Sequence, residues 1–189
     1  FNGGDDVAGR YLDEAERLLP ADAAETEVAA DLNVSRGIHL INRGRVAEAI
    51  ERLAPGVAAL QRLRGIDDGM AISAANILAW GYEGLDRNEE ARAVLLPIVA
   101  ALRADPDENP VRLADALDAL ANTYTSGEGA DEALAMRQDA LAITRRIYGN
   151  DHPFVQIRMN NLAFSLMSVH DYAGANRMMK EVVERDRAK

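Results

Sequence analysis

The sequence predicts an all-α protein, an α-solenoid of antiparallel helix pairs. The first supporting observation is composition: Ala and Leu are abundant and β-branched runs are missing, which favours close-packed helices over sheets. The second observation is internal repetition, because three segments superimpose without gaps at intervals of forty-two residues. Together these observations predict a stack of similar helical units.

Two small-residue markers define the repeat. A Leu-Ala pair stands at 78–79, 120–121 and 162–163. A second alanine recurs every forty-two residues, at Ala49, Ala91, Ala133 and Ala175. Apolar residues follow each of these alanines at three or four and then seven or eight positions, which is the spacing of a helix. Each repeat is therefore predicted to contain two helices, which cross through small residues that let the backbones approach closely.

The turn residues divide the chain into elements. A leading odd helix is predicted at 5–19. Four helix pairs follow at 22–63, 70–104, 110–147 and 153–187. The linkers before the last two pairs contain Asp and Asn and end in Pro, which favours the first turn of a helix, while Asp and Asn supply caps. We predict one solenoid domain over 1–189, and the Phe at position 1 suggests a piece of a longer protein.

The charge and the apolar pattern limit the partners. The net charge of −10 argues against binding to nucleic acid or to an anionic membrane, because such binding needs many Lys and Arg residues. No apolar run has the length of a membrane span, and no signal-peptide pattern opens the chain. A cytoplasmic location is expected. The absence of cysteine excludes disulfides and thiolate zinc sites.

The stretch from Ala140 to Val183 carries four recognisable motifs. They are Ala-Leu-x-Ile, Gly-x-Asp-His-Pro-x-Val, Asn-Asn-Leu-Ala and Tyr-x-x-Ala. This stretch resembles the tetratricopeptide repeat, in the forty-two-residue form of kinesin light chains and many bacterial proteins. The resemblance is strong for the last two repeats, moderate around Trp80 and weaker over 34–49. It implies a right-handed superhelix that binds proteins or peptides.

In that family the first helix of each pair lines a concave groove, so the resemblance implies a set of groove residues by register. One shared position holds Asn76, Asp118 and Asn160, whose side chains could bond to a peptide backbone. A second shared position holds Trp80 and Phe164, as apolar anchors or, alternatively, as filling between helices. The other candidates are Glu83, Asp115, Asn122 and Met167, with Val34, Ile38 and Thr125 at further inward positions.

The predicted groove has no Lys or Arg at the matching positions, so no carboxylate clamp is expected. Its acids Glu83, Asp115 and Asp118 favour a neutral or basic partner. The main functional hypothesis is a scaffold that recruits a protein or peptide to an attached effector domain. The alternatives are a ligand- or peptide-sensing regulatory domain of a bacterial signalling protein or transcription regulator, and a self-association module that forms a homodimer through its terminal helices.

An enzymatic function is not expected. His152 and His170 lie in a linker and a turn, and His39 has no spaced partner that would form a metal-ligand pattern. Phosphate-binding loops, nucleophile elbows and dinucleotide fingerprints do not occur in the sequence. We therefore predict no catalytic residue, no metal and no cofactor.

Overall fold

The computed structural model describes residues 6–20, 22–124 and 129–187, and within these ranges it contains α-helices and no strand. The helices are α1 (Val7–Leu18), α2 (Glu27–Asn42), α3 (Val46–Arg64), α4 (Gly69–Glu83), α5 (Asn88–Ala104), α6 (Pro110–Asn122), α7 (Ala130–Tyr148), α8 (Pro153–Ser168) and α9 (Tyr172–Arg187). A short 3-10 helix, Ala23–Glu25, lies between α1 and α2. The predicted all-α fold class is confirmed.

Several of these helices are capped at their N-termini by a side chain whose oxygen accepts hydrogen bonds from the first turn. The Asp68 carboxylate accepts hydrogen bonds of 3.0 Å from the backbone N–H groups of Met70 and Ala71 at the start of α4. At the start of α1, the Gly9 N–H donates to Asp6 over 2.8 Å. This bond lowers the pKa of Asp6 below its ordinary value of 3.8, because it favours the charged carboxylate. Each cap satisfies an N–H group that has no partner within its helix.

Three of the turns inside helix pairs, those after α2, α4 and α8, contain a residue with left-handed backbone geometry. Gly44, Asp86 and His170 have φ values of 74°, 58° and 63°. They occupy one repeat position, since Gly44 and Asp86 are forty-two residues apart and His170 follows eighty-four residues after Asp86. A left-handed residue after a helix lets the chain reverse direction within a few residues. The turns therefore share the periodicity of the helices.

The packing divides the chain into two compact units, Phe1–Val94 and Leu95–Lys189, with the division inside α5. In the first unit α1 packs on α2, α2 on α3 and α3 on α4. In the second unit α6 packs on α7, α7 on α8 and α8 on α9. The core of the second unit includes Leu141, Val155, Met159, Leu162 and Val182. Within each unit, the helices pack against their neighbours in chain order, as tetratricopeptide-like repeats do.

The predicted markers of the repeat are buried. They are Leu78, Ala79, Leu120, Ala121, Leu162 and Ala163, and the second-helix alanines Ala49, Ala91, Ala133 and Ala175. In the less regular repeat, Gly37 takes the position of the first-helix alanine and faces Leu53 of α3. A Cβ atom at Gly37 would lie 2.4 Å from Leu53 Cγ, so only glycine fits there. The small residues at these positions allow the close contact between helices that their spacing predicts.

Within the described part of the chain, no helix is long and apolar enough to cross a membrane.

Candidate functional site

Helix α8 carries large apolar side chains on its exposed face. Ile157, Phe164 and Met167 are 53%, 63% and 47% exposed, and Asn160 lies between them, partly buried. The spacing of three, four and three residues places all four side chains on one side of the helix. The opposite side of α8 is buried through Val155, Met159, Leu162 and Ala163. We name the set Ile157, Asn160, Phe164 and Met167 the α8 stripe.

Three members of the α8 stripe are residues that the sequence analysis placed in the groove. Phe164 is not a core residue, so the alternative in which it fills space between helices is not what the structure shows. The sequence analysis did not select Ile157. The available signal was its position three residues before Asn160, which puts it on the same helical face.

In the first unit, α4 presents a similar but shorter set. Trp80 is 55% exposed, and Asn76 and Glu83 are partly buried at positions four residues before and three residues after it. The Oδ1 atom of Asn76 is buried and accepts no hydrogen bond from the described residues. Trp80 is therefore a surface side chain of α4, with polar neighbours on the same face.

The acidic residues of α6 have a different environment from the one expected. Asp118 is only 6% exposed. Its Oδ2 atom accepts hydrogen bonds from Arg158 and, over 2.6 Å, from the amide of Asn161. Arg158 also forms an ion pair with Asp115, whose side chain is half exposed. One partly buried arginine of α8 thus pairs with both carboxylates of α6.

A second arginine completes this network from α7. Arg137, whose side chain is 13% exposed, donates 2.8 Å hydrogen bonds to the Ser165 hydroxyl and to the Asn161 carbonyl of α8. It also donates to the Asn122 side chain of α6 over 2.6 Å. Its Nε atom lies 4.0 Å from Asp118 Oδ1. The hydrogen bonds and ion pairs of the two arginines therefore connect α6, α7 and α8.

These contacts differ from the predicted acid-lined surface in three ways. Asp118 is a buried ion-pair member, Asp115 is paired with Arg158, and Asn122 accepts a hydrogen bond from Arg137. The physical reason is that a buried carboxylate is stable only with a cation or several donors beside it. Counting first-helix positions alone did not show the two arginines that supply them.

The remaining inward candidates of the sequence analysis have mixed positions. Val34 is buried rather than exposed, and it lies close to Gly56 of α3. Ile38 is partly buried. Thr125 lies outside the described residues. Among the residues that the structure describes, no group of three or more His, Asp and Glu side chains could hold a metal ion.

Residues 113–154 and 157–187 match the sequence model of the family described as tetratricopeptide repeat. The two segments run from the fourth residue of α6 to the end of α9, except for residues 155–156 in α8. No curated protein sequence matches the chain closely enough to count as a relative. The predicted resemblance to the kinesin-light-chain form of the repeat is confirmed by this match together with the fold similarities below.

Several solved structures share the fold. A kinesin light chain protein of Podospora anserina with nearly identical TPR-like repeats is 19% identical, with a TM-score of 0.77, over 94% of this chain and 82% of that one. BtubC (BKLC) of P. vanneervenii is 17% identical, with a TM-score of 0.77, over 96% and 71%. MamA of Desulfovibrio magneticus is 18% identical, with a TM-score of 0.63, over 97% of each chain. At these identities the similarity concerns the fold alone.

Proposed function

We propose that this chain, whose segments 113–154 and 157–187 are tetratricopeptide repeats, binds a protein or peptide and recruits it to an attached effector domain. Repeats of this family generally serve protein–protein interaction. In our proposal the first helices carry the contact surface, α4 in the first unit and α8 in the second. In this proposal the interaction domain extends over 1–189.

The observation that carries the proposal is the α8 stripe. Phe164, Ile157 and Met167 leave large apolar surfaces in water on a helix whose other side is well packed. Neighbouring exposed apolar residues with a polar residue among them are typical of protein contact surfaces. Aromatic side chains such as Phe164 and Trp80 can anchor a partner, because they bury a large area on contact.

The charges around the stripe favour a neutral or basic partner over an acidic one. Arg158 and Arg137 lie next to the stripe, but their side chains are only 12% and 13% exposed and already donate to protein acceptors. An acidic peptide would have to displace Asp118 or Asp115 to use them. The structure changes which acids support the preference for a neutral or basic partner. Asp115 and Glu83 are at least partly exposed, whereas Asp118 is buried.

The test is selection of peptides on the full chain from a displayed library of random sequences, followed by affinity measurements on variants. We expect Phe164→Ala to weaken a selected peptide by about tenfold or more, as truncation of an anchor does. The matched control is Val183→Ala on α9, which removes a similar exposed apolar side chain outside the first helices. It should change the affinity by less than about twofold, since truncation of exposed side chains outside a contact surface is close to neutral.

Failure to select any peptide, or equal losses for the two variants, would contradict the proposal. Thermal unfolding of each variant checks that the fold is retained. Light scattering on the same samples tests the alternative of self-association, for which Val7, Tyr11 and Leu18 of α1 provide a second exposed apolar face. A homodimer that dissociates into monomers in the Tyr11→Asp variant would favour that alternative.

A further inference from the structure

A cleft of about 220 Å³ lies in the second unit, where α6 and α8 begin and α7 ends. Its floor includes the small buried residues Ala114 and Thr144. Its walls are the apolar side chains of Val111, Ile147, Tyr148, Phe154 and Ile157. Nothing in the repeat pattern pointed to this cleft, because its walls come from three helices and only Ile157 belongs to the α8 stripe.

The aromatic wall of the cleft is held in place by its own contacts. The rings of Tyr148 and His152 are stacked with centroids 4.5 Å apart, and those of His152 and Phe154 meet edge to face at 4.8 Å. The Nδ1 atom of His152 accepts the backbone N–H of Phe154 over 3.2 Å, which fixes the ring beside the start of α8. Because this wall is already ordered, less conformational entropy is lost when a ligand binds.

The volume of the cleft indicates which class of ligand it can hold. Sites for metabolites and cofactors usually have volumes of about 300–1,000 Å³. A cleft of 220 Å³ is smaller and mostly apolar, so it suits one large side chain of a polypeptide. The exposed walls at Ile147, Phe154 and Ile157 leave apolar surface that such a side chain would cover.

The polar groups at the rim of the cleft determine which peptide residue is favoured next to that side chain. Asp115 is half exposed and uses one carboxylate oxygen, Oδ1, for Arg158. The Arg158 side chain is 12% exposed, its Nη atoms donate to Asp118 and Asp115, and its Nε atom is buried without a hydrogen-bond partner among the described residues. The rim therefore offers an anionic acceptor to an incoming group but no accessible guanidinium.

We propose that this cleft binds one large aliphatic side chain of a peptide whose adjacent Lys or Arg faces Asp115. This inference depends on the proposed peptide-binding function and specifies its ligand. The cleft supplies affinity through burial of the aliphatic side chain, and Asp115 supplies the preference for a basic neighbour. The cleft lies at the Pro153 end of α8, so it extends the contact surface beyond the predicted groove residues.

The experiment uses the full chain and three short capped peptides, Gly-Lys-Leu-Lys-Gly, Gly-Lys-Ala-Lys-Gly and Gly-Glu-Leu-Glu-Gly. Methyl NMR spectra follow Ile147 and Ile157 in the cleft and Met167 outside it. The Lys-Leu-Lys peptide is expected to shift both Ile signals and to bind about tenfold more tightly than the Ala peptide, because the larger side chain buries more apolar surface. It should also bind about two- to fivefold more tightly than the Glu peptide, the usual size of a rim charge effect.

Two variants and a control separate the cleft from the remaining surface. Val111→Phe fills the cleft and should weaken the Lys-Leu-Lys peptide by about tenfold, whereas Val183→Phe adds the same bulk on α9 and should have little effect. Asp115→Asn should remove the preference for Lys over Glu. Circular dichroism confirms that each variant keeps its helices.

The outcomes distinguish this inference from the proposed function. If selected peptides bind and shift Met167 while the Ile147 and Ile157 signals stay in place, the cleft proposal is wrong and the proposed function stands. If the Glu peptide binds as tightly as the Lys peptide, the role of Asp115 is wrong. If neither library-selected peptides nor the Lys-Leu-Lys peptide bind, both proposals fail.

Discussion

Asp118 occupies the same repeat position as Asn76 and Asn160, yet its carboxylate is buried beside Arg158 and Arg137. A buried carboxylate without a cation would lose several kcal/mol of hydration, so its neighbours determine whether it can stay charged. The amide side chains at the two equivalent positions need no such neutralisation. One repeat position therefore holds residues with different roles, according to the cations around them.

We expect Asp118→Ala to destabilise the second unit by about 3–5 kcal/mol, because Arg158 and Arg137 would lose their buried counter-charge. Urea unfolding followed by circular dichroism measures the change. The control is Asp115→Ala, which removes the half-exposed partner of the same arginine. Its cost should stay at about 1 kcal/mol or less, as for other exposed ion pairs. Equal costs for the two variants would contradict the assigned role of Asp118.

At the scale of helices, small residues determine how closely the pairs approach. Gly37 of α2 faces Leu53 and the Ala49 carbonyl of α3, where an added Cβ would lie at 2.4 Å and 3.2 Å from their nearest atoms. Leu53 is fully buried and cannot move aside freely. At Gly81 of α4, the nearest neighbour of an added Cβ is Ile50 Cγ1, 3.3 Å away. Both glycines lie in the first helix of a pair, but the space around them differs.

These distances predict stability losses of different size for two matched substitutions. Gly37→Ala should destabilise the first unit by about 1–3 kcal/mol through overpacking against Leu53. Gly81→Ala should change stability by less than about 1 kcal/mol, since the higher helix propensity of Ala offsets a small adjustment of Ile50. Thermal and urea unfolding of both variants provide the comparison. A stable Gly37→Ala protein would mean that α2 and α3 pack less closely than described.

On the scale of the whole chain, the two units are each built from contacts between neighbouring helices. In repeat arrays stability is close to a sum of local terms, so a change in one part mainly affects the part that contains it. Trp80 is the only tryptophan in the sequence and lies in the first unit. Its fluorescence therefore reports the first unit, whereas circular dichroism reports all helices.

This difference between the two probes gives a test of local stability. With Asp118→Ala, we expect the urea midpoint measured by circular dichroism to fall more than the midpoint measured by Trp80 fluorescence, because the substitution lies in the second unit. The unmodified protein measured by both probes is the reference. Equal shifts in the two signals would show that the whole chain unfolds in a single transition.

The sequence by itself determined the helical fold, the repeat register and the buried markers. These features depend on helix propensity, turn residues and spacing, which are local properties of the chain. The family resemblance, carried over by register, implied an outward position for Met167 and left filling between helices open for Trp80 and Phe164; the structure decided that both are exposed. Ile157 could have been included from its spacing to Asn160.

Only the tertiary structure decided the pairing of charges and the shape of the surface. Arg158 meets Asp118 across forty residues of sequence, and Arg137 reaches them from a second helix. The cleft likewise needs walls from α6, α7 and α8 at once. A repeat register places each side chain on a face of its own helix, but a long, flexible arginine side chain can reach several acceptors on neighbouring helices. Which acceptor it binds depends on distance and burial in three dimensions, and the spacing along the sequence does not specify these.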